Sequence, residues 1–357
     1  MAQNGDPLAD KVYGKWGVDL TARDLNVRPG DDFDAYADGT WAKSAEIPAD
    51  SGSTGPYLDL RRLSEARMRA IIETSPPTSQ IGALYRSYMD TATIEARGIA
   101  PLVADLAPIT AAKDRDALAL AVARPGFTTG PVTFDVDADP ADARREVIGV
   151  MQGGLTFPDR DYYLLDRFKT PRAALQPYVE RSLALAGDGD AARHAAAVVN
   201  FETAIAKVSY SRTDSDDPAK SINPTTLGAL AQNSPGLPWS GMLRVAGLPA
   251  GPRQRLIVVQ RDALTGIAAL WASTPLDTLK AWASFHLIDK AGRFLPQRFT
   301  DSYDTFSKIV RASRGTPTRE RRAINLVDDR LGELIGREYV RRFFDPQRKA
   351  AMLVLAN

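Results

Sequence analysis

From Leu58 onward the chain repeats one pattern: apolar residues three and four apart, charged residues opposite, then a break at Pro, Gly or Asp. Leu60, Leu63, Met68, Ile71 and Ile72 recur in this way with Arg and Glu between them, which predicts an amphipathic helix. A second helix is predicted after Pro76-Pro77, with Ile81, Leu84, Tyr85 and Tyr88 as its buried stripe and Gly98 as its end. Shorter helices are predicted at 102–106 and 115–123. The period then changes to two. Val132, Phe134 and Val136 alternate with polar residues, and 146–152 ("EVIGVMQ") is a second β-prone run. Together they predict a small two-stranded ribbon around the polar turn "DPADARR". Helical spacing returns after "GGLTFPDRDYYLLDRF", with two helices over 171–207 broken at "GDGD" (187–190). More helices are predicted at 225–233, 239–246, 263–273, 275–290 and 300–312. The last long one covers 318–344, where Ile324, Val327, Leu331, Leu334, Ile335, Tyr339 and Phe343 share a face.

The two ends depart from this pattern. Residues 1–56 are rich in Gly, Pro, Asp and Ser and read as an extended arm, with a short helix near 32–43 and a loop at 47–57. In "PGDDFDAYADGTW", Asp31 or Asp32 is placed to cap that helix. Phe33, Tyr36 and Trp41 are expected to anchor the arm by burial, each covering about 150–250 Å². At the other end Asp345-Pro346 offers a cap and a first-turn proline for a helix that reads "QRKAAMLVLAN" and stops on an apolar run. A helix finished by design is capped or solvated in its last turn, so the expectation is a polypeptide that continues past Asn357. No repeat of 20–50 residues is visible. The fold expected is mainly α, with one small β ribbon.

Composition narrows the chemistry. The 357 residues are 44% hydrophobic and 25% charged, ordinary for a globular protein of about two domains. Lys plus Arg number 45 and Asp plus Glu 44, a net charge of +1 that gives no electrostatic reason for nucleic acid as a partner. No apolar run of about 18 residues exists, so no membrane span is expected. The absence of cysteine removes disulfides, thiolate nucleophiles and thiolate metal sites. The polar opening "MAQNGDPLAD" lacks the apolar core of a signal peptide, and Ala2-Gln3 behind a lone Met fits an exported chain whose leader has been removed.

The chain's two histidines, His194 and His286, stand far apart in sequence, and neither lies in His-Glu-x-x-His. A zinc site within this chain is therefore not expected, and each histidine reads as a packed or half-exposed side chain. There is no Gly-x-Ser-x-Gly elbow, phosphate loop or dinucleotide fingerprint. "GELIG" in the last long helix reads as close packing, and "GDGD" as a helix-linking turn rather than a calcium loop. Four carboxylate pairs remain: Asp31/Asp32, Asp159/Asp161, Asp216/Asp217 and Asp328/Asp329. Neighbouring helical positions diverge by about 100°, so such pairs seldom aim at one atom: Asp159 and Asp161 are expected to cap a turn and form a salt bridge, Asp216/Asp217 to lie in a polar loop and Asp328/Asp329 on a solvated helical face.

Read in order, several stretches resemble the neprilysin-type zinc endopeptidases, peptidase family M13. The resemblance begins with "VRPGDDFDAYADGTWAKSAEIPADSGSTGPYLDLRR". It continues through "LYRSYMDTATIEARGIAPL", "GGLTFPDRDYYL", "LALAG", "FETAIAK", "INPTTL" and "WASFHLID", and closes with "LGELIGREYVRRFFDPQRKAAM". It implies a two-lobed, mainly helical peptidase, one lobe holding zinc and a Glu that acts as general base on metal-bound water, the other a helical cap over the substrate chamber. On that reading residues 1–57 are an arm and linker packing on the catalytic lobe, 58–345 are the helical cap, and 346–357 begin a helix leading to the catalytic domain. The family's Asn-Ala-Tyr-Tyr strand, His-Glu-x-x-His helix and glutamate ligand all fall beyond Asn357.

No catalytic residue and no metal ligand is then expected in this chain, and zinc belongs to the complete enzyme. The partners implied are the C-terminal catalytic portion and peptide substrates, in a periplasmic or secreted setting. Animal members carry cysteines near Gly30 and Asp38 that are missing here, as in bacterial relatives. The basic residue that binds a substrate's terminal carboxylate in some members would fall near Ser53 and is absent here, while Arg61 matches another substrate-side arginine. Two other readings stand beside this one: a free-standing helical peptide-binding module of the same ancestry, and an unrelated hydrolase working through pairs such as Asp31/Asp32.

Overall fold

The computed structural model describes residues 8–9, 17–48, 53–126, 129–311 and 315–356. The chain divides into two compact units, Met1–Thr91 with Ser313–Asn357, and the uninterrupted segment Ala92–Ala312.

The continuous unit is built on three helices. Lys169–Leu185 and Ala191–Val208 form a helical hairpin around the turn at Gly187, whose φ of +94° suits glycine. Leu276–Ala291 runs parallel to the second of them: His194 meets Asp277 at one end and Glu202 meets His286 further along. This helix buries Leu279, Trp282, Phe285, His286 and Ile288 together, and is covered almost all round. Its Trp282 ring meets Trp271 and Phe201 edge to face, with centroids 5.9 and 5.7 Å apart.

The predicted ribbon is half of a mixed sheet. Strands β1 (Val132–Asp139) and β2 (Asp142–Gln152) pair antiparallel. The sheet continues with β3 (Asn223–Thr226) and β4 (Arg255–Val258), in the order β1-β2-β4-β3, with β4 parallel to β2. The last two strands are four residues each, too short to show a period, and Pro224 in β3 is tolerated because that strand is an edge.

At the opposite edge the Asp135 and Asp137 carboxylates accept from the next residue's N–H, at 2.8 Å from Val136 and 2.7 Å from Ala138. Donors that would recruit another strand are thereby occupied.

Asp139, at the end of β1, ties the sheet together. Arg255 of β4 donates to both its oxygens, Nε at 2.8 Å and Nη2 at 3.1 Å. That pair of hydrogen bonds, helped by the Ala141 N–H, holds the Asp139 carboxyl down at about 2, against an ordinary 3.8. A depressed carboxylate contributes stability above its ordinary value and loses it as pH falls through the folded one. Asp139→Asn is therefore expected to flatten the acid-unfolding curve between pH 3.8 and about 2, read by circular dichroism against the wild type.

The other unit packs Pro56–Thr74, Gln80–Met89 and Arg319–Phe343 around Ile71, Ile72, Ile81, Ile324, Val327 and Ile335. Ion pairs bind these helices at the rim, Arg69 to Glu320 at 2.6 Å and Arg321 to Glu65 at 3.2 Å. Arg67, buried against the Phe343 ring at 4.9 Å, donates to the Leu8 carbonyl from Nε and Nη2. The long helix bends at Leu331, where φ is −129° and ψ 25°.

Three expectations are corrected here. The helix expected to end at Gly98 is two, Gln80–Met89 and Thr91–Arg97, because Asp90 leaves the helical region at φ −77° and ψ 75°. Leu60 lies outside the core at 47% exposure, since nothing described in this unit covers its turn. Among the described residues the arm's aromatics are at most half-buried. Asp32 does cap Phe33–Ser44, accepting from the Ala35 N–H at 2.9 Å, but no residue of that helix is buried and Phe33 is 69% exposed. Polar contacts hold it instead, with Lys43 Nζ 2.5 Å from the Asp24 carboxylate and the Asp24 N–H on the Tyr36 carbonyl.

Candidate functional site

Arg61 stands on the outer face of Pro56–Thr74 with its Nε 3.6 Å from Glu65, which Arg321 also approaches. Ser53 is exposed in the stretch leading to that helix, and no hydrogen bond joins it to Arg61. The carboxylate pairs serve local structure. Asp31 lies 3.7 Å from Arg28 while Asp32 caps a helix. Asp159 accepts from the Asp161 N–H and Asp161 pairs with Arg167. Asp217 caps Pro218–Ser221 and Asp216 stands 4.0 Å from Arg212. Burial, and then the Asp329 charge, raise the Asp328 carboxyl. The glycines of "GELIG" are not a packing seam among the described residues, because a Cβ on Gly336 meets nothing within 4 Å.

Sequence reasoning missed the densest polar cluster, which lies in the continuous unit. Glu202 is fully buried on Ala191–Val208, on the same face as Val198, Phe201 and Ile205. Its carboxylate accepts from Thr156 N–H at 3.1 Å, Thr156 Oγ1 at 2.8 Å, His286 Nε2 at 2.9 Å and the Tyr163 hydroxyl. All the donors a buried carboxylate needs are thus supplied. Burial, reinforced by the Glu202 charge, pushes the Tyr163 hydroxyl well up. Trp282 Nε1 donates to the Gly154 carbonyl, which fixes the same turn from the other side. A glutamate at a helical position otherwise flanked by core residues was the available signal.

This network backs a cleft of about 440 Å³ lined by Gly153, Gly154, Phe157, Asp159, Tyr210 and Arg212. Its far wall is pinned by the Gln152 side chain, which accepts from the Tyr210 N–H at 2.7 Å and donates to the Tyr210 carbonyl at 3.3 Å. Arg160 Nη1 donates to the Ser209 carbonyl at 2.6 Å. The cleft is rigid and carries one exposed cation and one carboxylate, but no histidine lines it and no nucleophile–base couple faces it. Among the described residues no three His, Asp or Glu side chains gather as metal ligands. Nor is any described helix long and apolar enough to cross a membrane.

The family model of peptidase family M13, in its N-terminal part, matches residues 29–357. The chain belongs to peptidase family M13. Rat endothelin-converting enzyme 1 is 25% identical over 358 residues, which cover 94% of this chain and 47% of the relative. Human endothelin-converting enzyme 1 is likewise 25% identical over 351 residues, 93% of this chain and 46% of that protein. Among solved structures, the zinc metalloprotease Zmp1 of Mycobacterium tuberculosis, bound to an inhibitor, superposes with a TM-score of 0.84 at 28% identity. It is matched over 93% of this chain and 53% of its own. PepO from Lactobacillus rhamnosis shares the fold at a TM-score of 0.75 and 17% identity, over 92% of this chain and 54% of its own. The chain spans about half the length of the relatives it matches. Within this M13 chain, "FETAIAK" and "GGLTFPDRDYYL" are the segments that meet at Glu202, Thr156 and Tyr163.

Proposed function

We propose that this chain is the arm and chamber cap of a zinc-dependent endopeptidase, completed by a C-terminal catalytic part of the same protein. The observation that carries this reading is the M13 match over residues 29–357 in a chain about half as long as its relatives. The described residues do not fit zinc, so the ligands are assigned to the C-terminal part. Residues 1–57 then serve as the arm, 58–345 as the cap and 346–357 as the start of the connecting helix. Exposed apolar side chains support a missing partner at both ends of the chain. Met352, Val354 and Leu355 stand out from Pro346–Ala356, and Leu25, Phe33 and Tyr57 from the arm. Substrates are peptides, Arg61 and Ser53 face them, and the complete enzyme works in the periplasm or outside the cell.

The test is to produce the chain alone and together with the polypeptide encoded after Asn357. The pair is expected to cleave peptides, to lose that activity to a zinc chelator and to regain it with zinc, while the chain alone is inert and associates. A stop codon directly after Asn357 would remove the reading and leave a peptide-binding module in its place. Chelator-resistant hydrolysis by the chain alone, abolished by Asp32→Asn, would replace it with carboxylate chemistry.

A further inference from the structure

His194 occupies a cluster that the peptidase reading does not use. Its Nδ1 lies 2.6 Å from Asp188 Oδ2 and its Nε2 3.2 Å from Asp277 Oδ2. Arg193 reaches the same place, with Nη2 2.9 Å from His194 Nε2 and Nη1 2.9 Å from Asp277 Oδ2. Arg193 Nη2 also lies 3.2 Å from Asp190. Three elements meet here: the turn after Lys169–Leu185, the first turn of Ala191–Val208, and the first turn of Leu276–Ala291.

The two protonation states of the ring satisfy different neighbours. A charged imidazolium donates from both nitrogens, to Asp188 and to Asp277 at once. A neutral ring that keeps its proton on Nδ1 still donates to Asp188 but turns a lone pair toward the Asp277 oxygen, which repels it. That lone pair instead suits the Arg193 Nη2 donor. We propose that His194 is a proton-operated brace, tying the 186–190 turn to the start of Leu276–Ala291 when charged and yielding its Nε2 to Arg193 when neutral.

The surrounding charges favour this assignment. The groups facing the ring are Asp188 from the turn, Arg193 from its own helix with Asp190 behind it, and Asp277 from the packed helix. The two helices run parallel, so their N-terminal dipole ends lie side by side and oppose a cation there. Burial opposes it as well, yet the hydrogen bonds to Asp188 and Asp277 outweigh burial and raise the His194 pKa above the ordinary 6.5. A raised histidine contributes stability fully below its unfolded value and loses it as pH rises through the folded one. The brace is thus fully set below 6.5 and released as pH rises through the higher folded value. The Glu202–His286 contact two turns further along is not part of it, so release opens one end of the helix pair and leaves the buried network closed.

With two histidines in the chain, His194→Gln assigns both ring signals in a proton NMR titration. The His194 midpoint is expected above 6.5, and to fall in Asp277→Asn and in Asp188→Asn. Amide exchange at Leu279, whose N–H donates to the Pro275 carbonyl, and at the residues after it, corrected for its intrinsic pH dependence, is expected to quicken as the ring loses its charge, by the factor that the measured His194 midpoint shift sets. In His194→Gln it should not respond to pH. A midpoint at or below 6.5, or one that Asp277→Asn leaves in place, overturns the proposal. Should His194→Gln fail to fold, the two aspartate variants decide the matter alone.

Discussion

Glu202→Ala is expected to destabilise the continuous unit by about 3–5 kcal/mol, because more than one buried donor loses its acceptor at about 1–3 kcal/mol each. The carboxylate accepts four hydrogen bonds from three residues, and the donors on His286 and Tyr163 are buried out of reach of water. Removing it leaves the His286 ring and the Tyr163 hydroxyl facing a void and takes the acceptor of the Thr156 side chain, while the Thr156 N–H keeps the Tyr163 oxygen at 3.1 Å. Glu202→Gln keeps the shape and one acceptor, but its amide group meets donors, so an intermediate loss is expected. Urea denaturation followed by tryptophan fluorescence reads this directly, because Trp282 packs against the His286 ring with centroids 4.7 Å apart. A lowered midpoint with an unchanged slope is the expected form. A loss below about 1 kcal/mol would mean that the network is ornament to the apolar core rather than its fastening.

Gly82→Ala should damage the other unit by about 3 kcal/mol, at the upper end for forced overpacking. A Cβ at this position would lie 2.1 Å from the Pro76 carbonyl oxygen and 2.9 Å from its carbon, both backbone atoms that cannot rotate aside. The Gly82 N–H is also the donor to the Ser79 cap at 3.1 Å, so lifting the helix to make room undoes its own start. Ile81, beside it, would be drawn away from Ile71 and Ile324. Gly336→Ala provides the contrast. It sits in an exposed helical turn with open space around it, and gains about 0.5–1 kcal/mol from propensity alone. Equal effects from the two substitutions, measured by thermal and chemical melts, would contradict the packing described at Pro76.

What could be read from the sequence follows the physics of each element. The long helices were legible because one face is buried and the other wet, and the 169–208 hairpin because glycine and aspartate mark its turn. The strands β3 and β4 were not, since four residues carry no period and the last three of β4 are apolar and buried without alternation. The aromatic residues of the arm were misjudged for a related reason: Phe33 and Trp41 declare that they want a partner, not whether this chain supplies it. Three of the carboxylate pairs supply caps or salt bridges, and Asp328 and Asp329 stand on an exposed helical face, as their sequence contexts indicate. The Glu202 cluster was out of reach because its members are 84 residues apart at His286 and 46 at Thr156, and only the fold brings them together.

The division of the chain also sets an order of events. One unit is a single stretch, so every residue of its core is available once Ala312 has been made. The other draws on both ends, and Ile71, Ile72 and Ile81 cannot find Ile324, Val327 and Ile335 until the far segment exists. At about 5–20 residues per second of synthesis, the roughly 240 residues between Ile81 and Ile324 take about 10–50 s to appear. Through that interval the early helices carry an uncovered apolar stripe while the middle of the chain folds. The nascent polypeptide therefore passes through a half-built stage in which its N-terminal helices depend on chaperones, or on their own Arg and Glu residues, to stay out of trouble.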